Sequence, residues 1–465
     1  MRLLLALTVV VPVLACDDNP NQLVITFDTD APLPAASGVD PLEGPTPLFD
    51  RLRIDVLQPD GTPCGGCSND FAVTSDLFTA TEASIGVPLP SGDGWTLHAR
   101  LYLARFAQEG EPDPDSTIDT LVSLPDAADN PGSAGVFLST DTVGVVATSP
   151  GALGSPATVS AVGTWPGALR VACDETGLPR PPNTACAAGG AYWMGTEDGQ
   201  TLSGRSGSWH RLAVLSPHYI DVAEVTVGAF RATNKQPTGI NIPDGSSGPA
   251  YCTFTSASGP YESLPVNCIT ASMARTYCMA LGGDLPTAAQ FERLATRFGR
   301  APYVWGLDQP SCTDAVFSNC STSQCYFGYT PADPCYTMPS PSPLTGDSGP
   351  LGGPVPAPMC TPNASCPLRD ALTVGDAVVV NLAGNVAELT ADRGFSEDDS
   401  CLVGASSNVV MDPTCPITTT VQVRGGAFST DTFSALRGDV LLNATVSAWA
   451  ADIGFRCAYP ATPGM

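Results

Sequence analysis

Short runs of alternating apolar and polar residues occupy the first third of the chain, and this pattern predicts β-strands with one buried face. Residues 52–56 have the sequence Leu-Arg-Ile-Asp-Val, and residues 95–102 alternate in the same way, with His98 on the polar side. Residues 23–27 are a third candidate strand. Because no long segment of helical period interrupts these runs, we expect a β-sandwich-like domain over residues 23–146, with His98 solvated rather than bound to a metal.

Helical periodicity begins later, at residues 272–281 and 288–298. Apolar residues three or four positions apart define the buried faces of these two helices: Met273, Tyr277 and Leu281, then Phe291, Leu294, Ala295 and Phe298. Thr287 with Gln290 matches the capping box that opens a helix, and Gly282 with Gly283 is typical of a helix end. A second domain is therefore expected over residues 173–465.

The segment between the two domains, residues 147–172, is rich in Gly, Ala, Ser, Pro and Thr, which predicts a linker. A second unusual segment, residues 310–375, is rich in proline and holds six cysteines. Because a bare loop of this length is rarely ordered, we expect a surface insertion stapled by disulfides.

The charge balance excludes one class of partner. The chain has 20 basic and 46 acidic residues, for a formal net charge of −26. Such a field repels nucleic acid and anionic lipid headgroups and attracts divalent cations, so no nucleic-acid partner is expected. The simpler interpretation is that the acidity keeps an exported protein soluble.

The first 16 residues predict export and anchoring. An apolar run at residues 3–15 follows Arg2, and Val-Leu-Ala precedes Cys16. The run is too short to cross a hydrocarbon core about 30 Å thick, so it is expected to be a signal-peptide core. The Leu-Ala-Cys ending resembles a bacterial lipobox, which makes Cys16 the expected lipidation site. We therefore expect a lipoprotein of the bacterial cell envelope, periplasmic or on the outer surface, that binds the membrane through its N-terminal lipid. The alternative is an ordinary secretory signal with an incidental cysteine.

Cysteine usage agrees with export. The chain has 17 cysteines, so 16 remain beside Cys16, enough for eight disulfides in an oxidising compartment. Cys64 and Cys67 have zinc-ligand spacing, but no second pair or histidine cluster accompanies them. Spacing alone leaves the connectivity open, and three pairs are plausible by proximity: Cys173–Cys186, Cys252–Cys268 and Cys401–Cys415.

Five blocks in the second domain resemble, in order, those of the sulfatase-modifying-factor or formylglycine-generating-enzyme family. The central block is Asn-Leu-Ala-Gly-Asn-Val-Ala-Glu-Leu-Thr-Ala-Asp at residues 381–392, where the family usually has Gly-Asn-Val-Trp-Glu-Trp followed by Asp. The other four are residues 190–195, 285–292, 423–428 and 454–458. The resemblance implies an α+β, C-type-lectin-like formylglycine-generating-enzyme fold after the β-sandwich-like domain. It also implies a disulfide between Cys278 and Cys457.

The catalytic chemistry of that family is not expected here. Its oxidases use two cysteines shortly after the Arg-Gly-Gly block to bind Cu(I), which requires soft thiolate ligands. The matching positions are Thr430 and Ala435. A hydroxyl and a methyl group do not hold Cu(I), so copper is not an expected cofactor. Two alternatives stay open: an oxidase of the same family with altered metal ligands, and a structural component of a cell-envelope complex.

The resemblance also implies a structural calcium site and a binding surface. The calcium ligands would be Asn381, Gly384, Val386 and Glu388, through oxygen atoms of the kind that a hard cation prefers. The alternative is a Gly-Asn turn with Glu388 solvated or capping. Variable, ligand-binding proteins that share this fold suggest by analogy a non-catalytic module for an unknown peptide, protein or glycan. Its expected ligand surface is Phe428, Thr430, Asp431, Phe433 and Trp449, of which Phe428 and Trp449 are equally compatible with the core.

Overall fold

The structure is a computed structural model of the 465-residue chain. It describes residues 22–36, 44–80, 82–89, 91–173, 178–196, 209–233, 252–255, 257–311, 314–317, 357, 368–394, 399–402, 407–430 and 433–461. Cys16, Asp431 and most of the predicted insertion at 310–375 lie outside the described residues. No helix among the described residues is both long and apolar enough to span a bilayer.

Two sheets and one short helix form the N-terminal domain. One sheet has the strand order β4-β1-β7 and the other has the order β3-β2-β5-β6. The elements are β1 (Gln22–Thr29), β2 (Arg51–Leu57), β3 (Pro63–Ala72), α1 (Ser75–Thr79), β4 (Ser84–Pro88), β5 (Thr96–Tyr102), β6 (Ile118–Ser123) and β7 (Ser133–Leu138). Strand β1 runs antiparallel to β4 and parallel to β7, whereas the four-stranded sheet is antiparallel throughout.

The alternating pattern predicts the buried faces of this domain correctly. Leu52 and Ile54 of β2 are 4% and 2% exposed, and the apolar positions of β5 are fully buried. Side chains from both sheets join one hydrophobic core, so the sandwich-like prediction is confirmed. His98 lies on the other face of β5, where its Nε2 is 2.5 Å from Asp119 Oδ1.

The segment 147–172 is packed against the first domain rather than extended as a free tether. Trp165 is 4% exposed, and its indole Nε1 donates a hydrogen bond to Asp141 at 2.8 Å. Asp28 accepts hydrogen bonds from the hydroxyl of Ser160 and the backbone amide of Ala161. The composition of this segment predicts a linker because composition carries no information about such long-range contacts.

The second domain contains twelve of the described strands and three of the described α-helices. Its elements are β8 (Thr184–Ala187), β9 (Gly190–Thr196), β10 (Trp209–Leu215), β11 (His218–Asp221), α2 (Val227–Ala232), α3 (Ala271–Ala280), α4 (Ala288–Ala295), β12 (Ala371–Val374), β13 (Ala377–Val380), β14 (Ala387–Leu389), β15 (Val409–Met411), β16 (Thr420–Arg424), β17 (Leu442–Thr445), β18 (Ile453–Gly454) and β19 (Ala458–Pro460). The sheets have the orders β15-β10-β9, β19-β11-β8, β12-β13 and β17-β16-β14-β18. The predicted α+β class is confirmed.

The predicted end of α3 and the predicted start of α4 are both formed by the expected hydrogen bonds. Thr287 and Gln290 form a complete capping box at the start of α4. At the end of α3, the amides of Gly282 and Gly283 donate to the carbonyls of Met279 and Cys278. With Gly282 at φ 86°, this is the Schellman arrangement, in which a left-handed residue closes the helix.

Two details of the helix predictions are wrong. Leu281, expected on the buried stripe of α3, is 46% exposed because the helix ends at Ala280. Helix α4 ends at Ala295 rather than at residue 298, since Arg297 and Phe298 have φ values of 51° and 63°. Phe298 is nevertheless 3% exposed, so its predicted burial is confirmed.

Disulfides join all ten cysteines that lie in the described residues. The implied Cys278–Cys457 bond and the three pairs expected by proximity are present. Cys64 and Cys67 form a fifth disulfide, which leaves no thiolate there for zinc. Such bonds persist in oxidising compartments and fit an exported protein.

The two domains share part of their interior. Trp193 of β9 packs edge-on against Phe49 and Phe106 of the first domain, with ring centroids 5.8 and 5.4 Å away. The indole of Trp193 also donates a hydrogen bond to the carbonyl of Leu48 at 2.8 Å. The N-terminal sheets are therefore packed directly on strands of the second domain.

Candidate functional site

The segment that carries the family resemblance forms a tight turn followed by a central strand. Asn381, Gly384 and Asn385 have φ values of 55°, 84° and 56°. A Cβ at Gly384 would lie 2.4 Å from the carbonyl oxygen of Val316, so this close approach requires glycine. Strand β14 then runs between β16 and β18, and every residue from 381 to 392 is buried.

A buried ion pair sits on this strand. Arg456 directs its Nε and Nη2 to the two carboxylate oxygens of Glu388, at 2.6 and 2.5 Å. The same guanidinium donates to the backbone carbonyls of Asp221, Val380 and Asn381 at 3.2, 2.9 and 2.9 Å. Arg456 and Glu388 are 0% and 1% exposed. The pair is therefore shielded from solvent, and both carboxylate oxygens of Glu388 are hydrogen-bonded. A buried ion pair needs such geometry to offset the desolvation of its two charges.

Further buried carboxylates adjoin this pair. Glu224 accepts hydrogen bonds from the side-chain amides of Asn381 at 2.9 Å and Asn385 at 2.8 Å. Asp370 accepts from two backbone amides of the same turn, each at 2.9 Å. Burial raises the pKa of Glu224 to about 7 despite the nearby positive charge of Arg456, and it raises the pKa of Asp370 well above its usual range. Part of this acidic group is consequently protonated near neutral pH.

Two of the four residues expected to hold calcium have oxygen atoms that are hydrogen-bonded within the chain. Both carboxylate oxygens of Glu388 and the carbonyl of Asn381 accept hydrogen bonds from the positively charged guanidinium of Arg456. Calcium takes about six to eight oxygen ligands and would be repelled by that guanidinium. Among the described residues, no cluster of three or more His, Cys, Asp or Glu side chains could hold a metal ion. Calcium binding through Asn381, Gly384, Val386 and Glu388 thus stays a prediction from the resemblance.

A second buried ion pair connects the remaining blocks. Arg424 Nη1 donates to Glu292 Oε2 at 2.9 Å, and Glu292 Oε1 accepts from the amide of Gly195 at 2.7 Å. Burial raises the pKa of Glu292 to about 7. Asp392 accepts from the amide of Ala288, the first residue of α4, at 2.5 Å. Together with the Arg456–Glu388 pair, these hydrogen bonds link all five blocks that resemble the family into one buried network. The pattern of apolar and polar residues did not predict these buried polar side chains.

The positions matching the copper cysteines have no copper ligands. The hydroxyl oxygen of Thr430 accepts a hydrogen bond from the amide of Ala427 at 2.8 Å, which closes a local turn. Ala435 is 6% exposed and packs in a short 3₁₀ helix, Phe433–Leu436. Neither residue offers the thiolate that Cu(I) prefers, so this donor set does not fit the metal.

The residues expected to form a ligand surface lie in different environments. Phe428 is 1% exposed, so its ring belongs to the interior and does not reach a surface ligand. Phe433 is half-buried, and its ring packs edge-on against Phe317 with centroids 6.0 Å apart. Thr430 is also half-buried. Trp449 is 43% exposed, so its ring reaches the surface.

Comparisons with known proteins place these features in a family. The chain is similar to PvdO from Pseudomonas aeruginosa, with 20% identity, a TM-score of 0.38, and coverage of 59% of this chain and 93% of that one. Variable protein 1 of Treponema denticola gives 13% identity, a TM-score of 0.38, and coverage of 59% and 94%. CarF gives 16% identity, a TM-score of 0.35, and coverage of 60% and 98%. No curated protein matches the chain. The model of the sulfatase-modifying factor enzyme 1-like domain matches residues 173–461, more than half of the chain, and the chain therefore belongs to that family.

Proposed function

We propose that this chain is an exported, lipid-anchored protein whose sulfatase-modifying-factor domain binds a peptide, protein or glycan without oxidising it. The observation that carries the proposal is the pair Thr430 and Ala435, which stand where the oxidases of the family have their Cu(I)-binding cysteines. Without a soft ligand at either position, the domain keeps the fold but lacks the centre that activates oxygen.

The state of the other cysteines supports this proposal. Cys401 and Cys415 lie nearby in the sequence and could substitute, but they form a disulfide with each other. The other eight cysteines in the described part of the chain are also paired. A sulfur in a disulfide is not a thiolate, so none of these ten is available to Cu(I).

Hydrogen bonds fix the backbone next to the exposed Trp449. The side-chain amide of Asn267 donates to the carbonyl of Ala451 at 2.5 Å, and the amide of Cys268 donates to the carbonyl of Ala450 at 3.0 Å. These contacts hold the segment that follows Trp449. Rigid, partly exposed aromatic residues are common energetic centres of binding surfaces. We therefore propose Thr430, Phe433 and Trp449 as ligand-binding residues, and we leave out the buried Phe428; Asp431, which is predicted with them, lies outside the described residues.

Export and anchoring are supported by the sequence and by the disulfides together. The lipobox predicts Cys16 as the lipidated residue, and the polar sequence after it predicts a short tether. Five disulfides among the described residues match an oxidising compartment outside the cytoplasm. Mass spectrometry of the N-terminal peptide from the native membrane tests this part, since an unmodified Cys16 would contradict it.

Cu(I) titration tests the absence of an oxidase centre. The mature protein in detergent, with disulfides intact, competes with a chromophoric Cu(I) chelator under anaerobic conditions. We expect no displacement of copper from the chelator. One Cu(I) retained per chain, with thiolate ligation seen by X-ray absorption, would instead establish the altered oxidase.

A further inference from the structure

A bulge closed by a disulfide interrupts the edge of the four-stranded sheet in the first domain. Strand β3 lies at that edge and pairs only with β2 among the described strands. In the register of the pair, one residue of β2, Val56, lies opposite the four residues 64–67 of β3. These four have the sequence Cys-Gly-Gly-Cys, and a disulfide joins Cys64 to Cys67. The disulfide therefore closes a local bulge and does not connect distant parts of the fold.

Neither cysteine of this disulfide is buried. Cys64 and Cys67 are both half-buried, and the two glycines between them are exposed. A Cβ added at Gly65 or Gly66 would have no other atom within 4 Å. The space beside the bulge is therefore open to an approaching thiol.

The other four disulfides among the described residues are better shielded. Exchange begins when a thiolate reaches a disulfide sulfur, so access to the sulfur influences which bonds react. Each of the other four disulfides contains at least one cysteine that is no more than 2% exposed: Cys173, Cys252, Cys268, Cys278, Cys415 and Cys457. We therefore expect these four bonds to react slowly while the protein is folded.

The short spacing of Cys64 and Cys67 also means that folding protects their bond least. These cysteines are 3 residues apart, whereas the cysteines of the other four pairs are 13, 14, 16 and 179 apart. A disulfide that closes a short loop stabilises the folded chain least. By thermodynamic linkage, folding stabilises that disulfide least against reduction, so we expect its reduction to leave the fold intact.

We propose that Cys64 and Cys67 form a redox-active disulfide that oxidises dithiols. A substrate thiolate attacks one sulfur of the pair, forms a mixed disulfide and releases the other cysteine as a thiolate, which takes up a proton. The second substrate thiol loses its proton, attacks the mixed disulfide and releases the first cysteine, which is protonated in turn. The substrate becomes a disulfide, and the pair gains two electrons and two protons. A low-molecular-weight disulfide restores the pair by the reverse exchange. This activity does not depend on the ligand-binding residues proposed above.

Selective reduction of the native protein tests the access of thiols to this bond. The mature protein in detergent is incubated with dithiothreitol, N-ethylmaleimide stops the exchange and labels the free thiols, and peptide mass spectrometry measures each cysteine. We expect Cys64 and Cys67 to be reduced at least about tenfold faster than the other eight cysteines of the described residues, with unchanged tryptophan fluorescence. Reduction of any of the other four pairs at an equal or greater rate would overturn the proposal.

Turnover distinguishes an exchange site from a disulfide that is only exposed. A peptide with two cysteines is mixed with oxidised glutathione and a catalytic amount of the protein, and the formation of the peptide disulfide is followed by mass spectrometry. We expect the unmodified protein to raise the initial rate about tenfold over the uncatalysed exchange. The double variant Cys64→Ser with Cys67→Ser should lose this acceleration. Since the pair is half-buried and closes a short loop, we expect the double variant to fold, which tryptophan fluorescence checks. No acceleration by the unmodified protein, or full acceleration by the double variant, would refute a redox-active pair.

Discussion

Replacing Arg456 by methionine tests whether the buried pair with Glu388 holds the second domain together. The guanidinium donates five hydrogen bonds, two to Glu388 and one each to the carbonyls of Asp221, Val380 and Asn381. Removing one member of a buried ion pair costs about 3–5 kcal/mol, because the other charge is left buried and unpaired. We therefore expect the free energy of unfolding to fall by about 4 kcal/mol, a large part of the stability of an ordinary domain.

Urea unfolding at pH 7, followed by tryptophan fluorescence with the disulfides intact, measures this loss. Adding Glu388→Gln to Arg456→Met is expected to recover about 2 kcal/mol, because the amide leaves no unpaired charge. Arg275→Met is the surface control: its side chain is 42% exposed in the pair with Asp284, so the loss should stay below about 1 kcal/mol. A loss of less than about 1 kcal/mol for Arg456→Met, or strictly additive effects in the double variant, would refute the reasoning.

Three further predictions follow from the same interior. Adding or chelating calcium should leave the midpoint of thermal unfolding unchanged within about 1 °C, and a rise of several degrees would establish the calcium site that the resemblance implies. Glu224→Gln should flatten the pH dependence of stability. Burial raises the pKa of Glu224 from 4.5 to about 7, so its stabilising contribution is complete below pH 4.5 and is lost as the pH rises through 7. Urea unfolding at pH 5 and pH 8 measures this fall, and an unchanged slope in the variant contradicts the assignment. Replacing Cys278 and Cys457 by serine should cost up to about 5 kcal/mol, since they are 179 residues apart, against about 2 kcal/mol for Cys64 and Cys67, which are 3 apart. Thermal unfolding ranks the two double variants, and the reverse order would be inconsistent with loop-closure entropy.

The hydrogen bonds that begin and end the helices could be predicted from the sequence, because residues close together in the chain form them. The capping box of Thr287 and Gln290 and the glycine turn after α3 need only residues a few positions apart. The length of a helix is harder to predict, because it does not follow from the spacing of its apolar residues alone. Helix α4 stops before Phe298 because two residues adopt left-handed conformations, yet that ring remains buried by tertiary packing. Its apolar spacing thus predicted burial correctly and helix length wrongly.

The buried ion pairs could not be predicted, because their partners are far apart in the chain. Glu388 and Arg456 are separated by 68 positions, and Glu292 and Arg424 by 132. A weak signal was present, since Glu388 and Arg456 each stand alone among apolar neighbours, in Val-Ala-Glu-Leu and Gly-Phe-Arg-Cys. Isolated charges of this kind are expected to be paired when they are buried. The resemblance instead implied that Glu388 is a calcium ligand.

The measurement that tests the central claim most directly is mass spectrometry of a peptide with the sequence Cys-x-Pro-x-Arg, incubated with the mature protein, Cu(I) and oxygen. An active member of the family serves as the positive control. A Thr430→Cys and Ala435→Cys double variant tests whether restoring both thiols restores copper binding. We predict that the unmodified protein leaves the mass of the peptide unchanged. Loss of sulfur from the peptide with formation of an aldehyde would contradict the account and show that this chain is an oxidase.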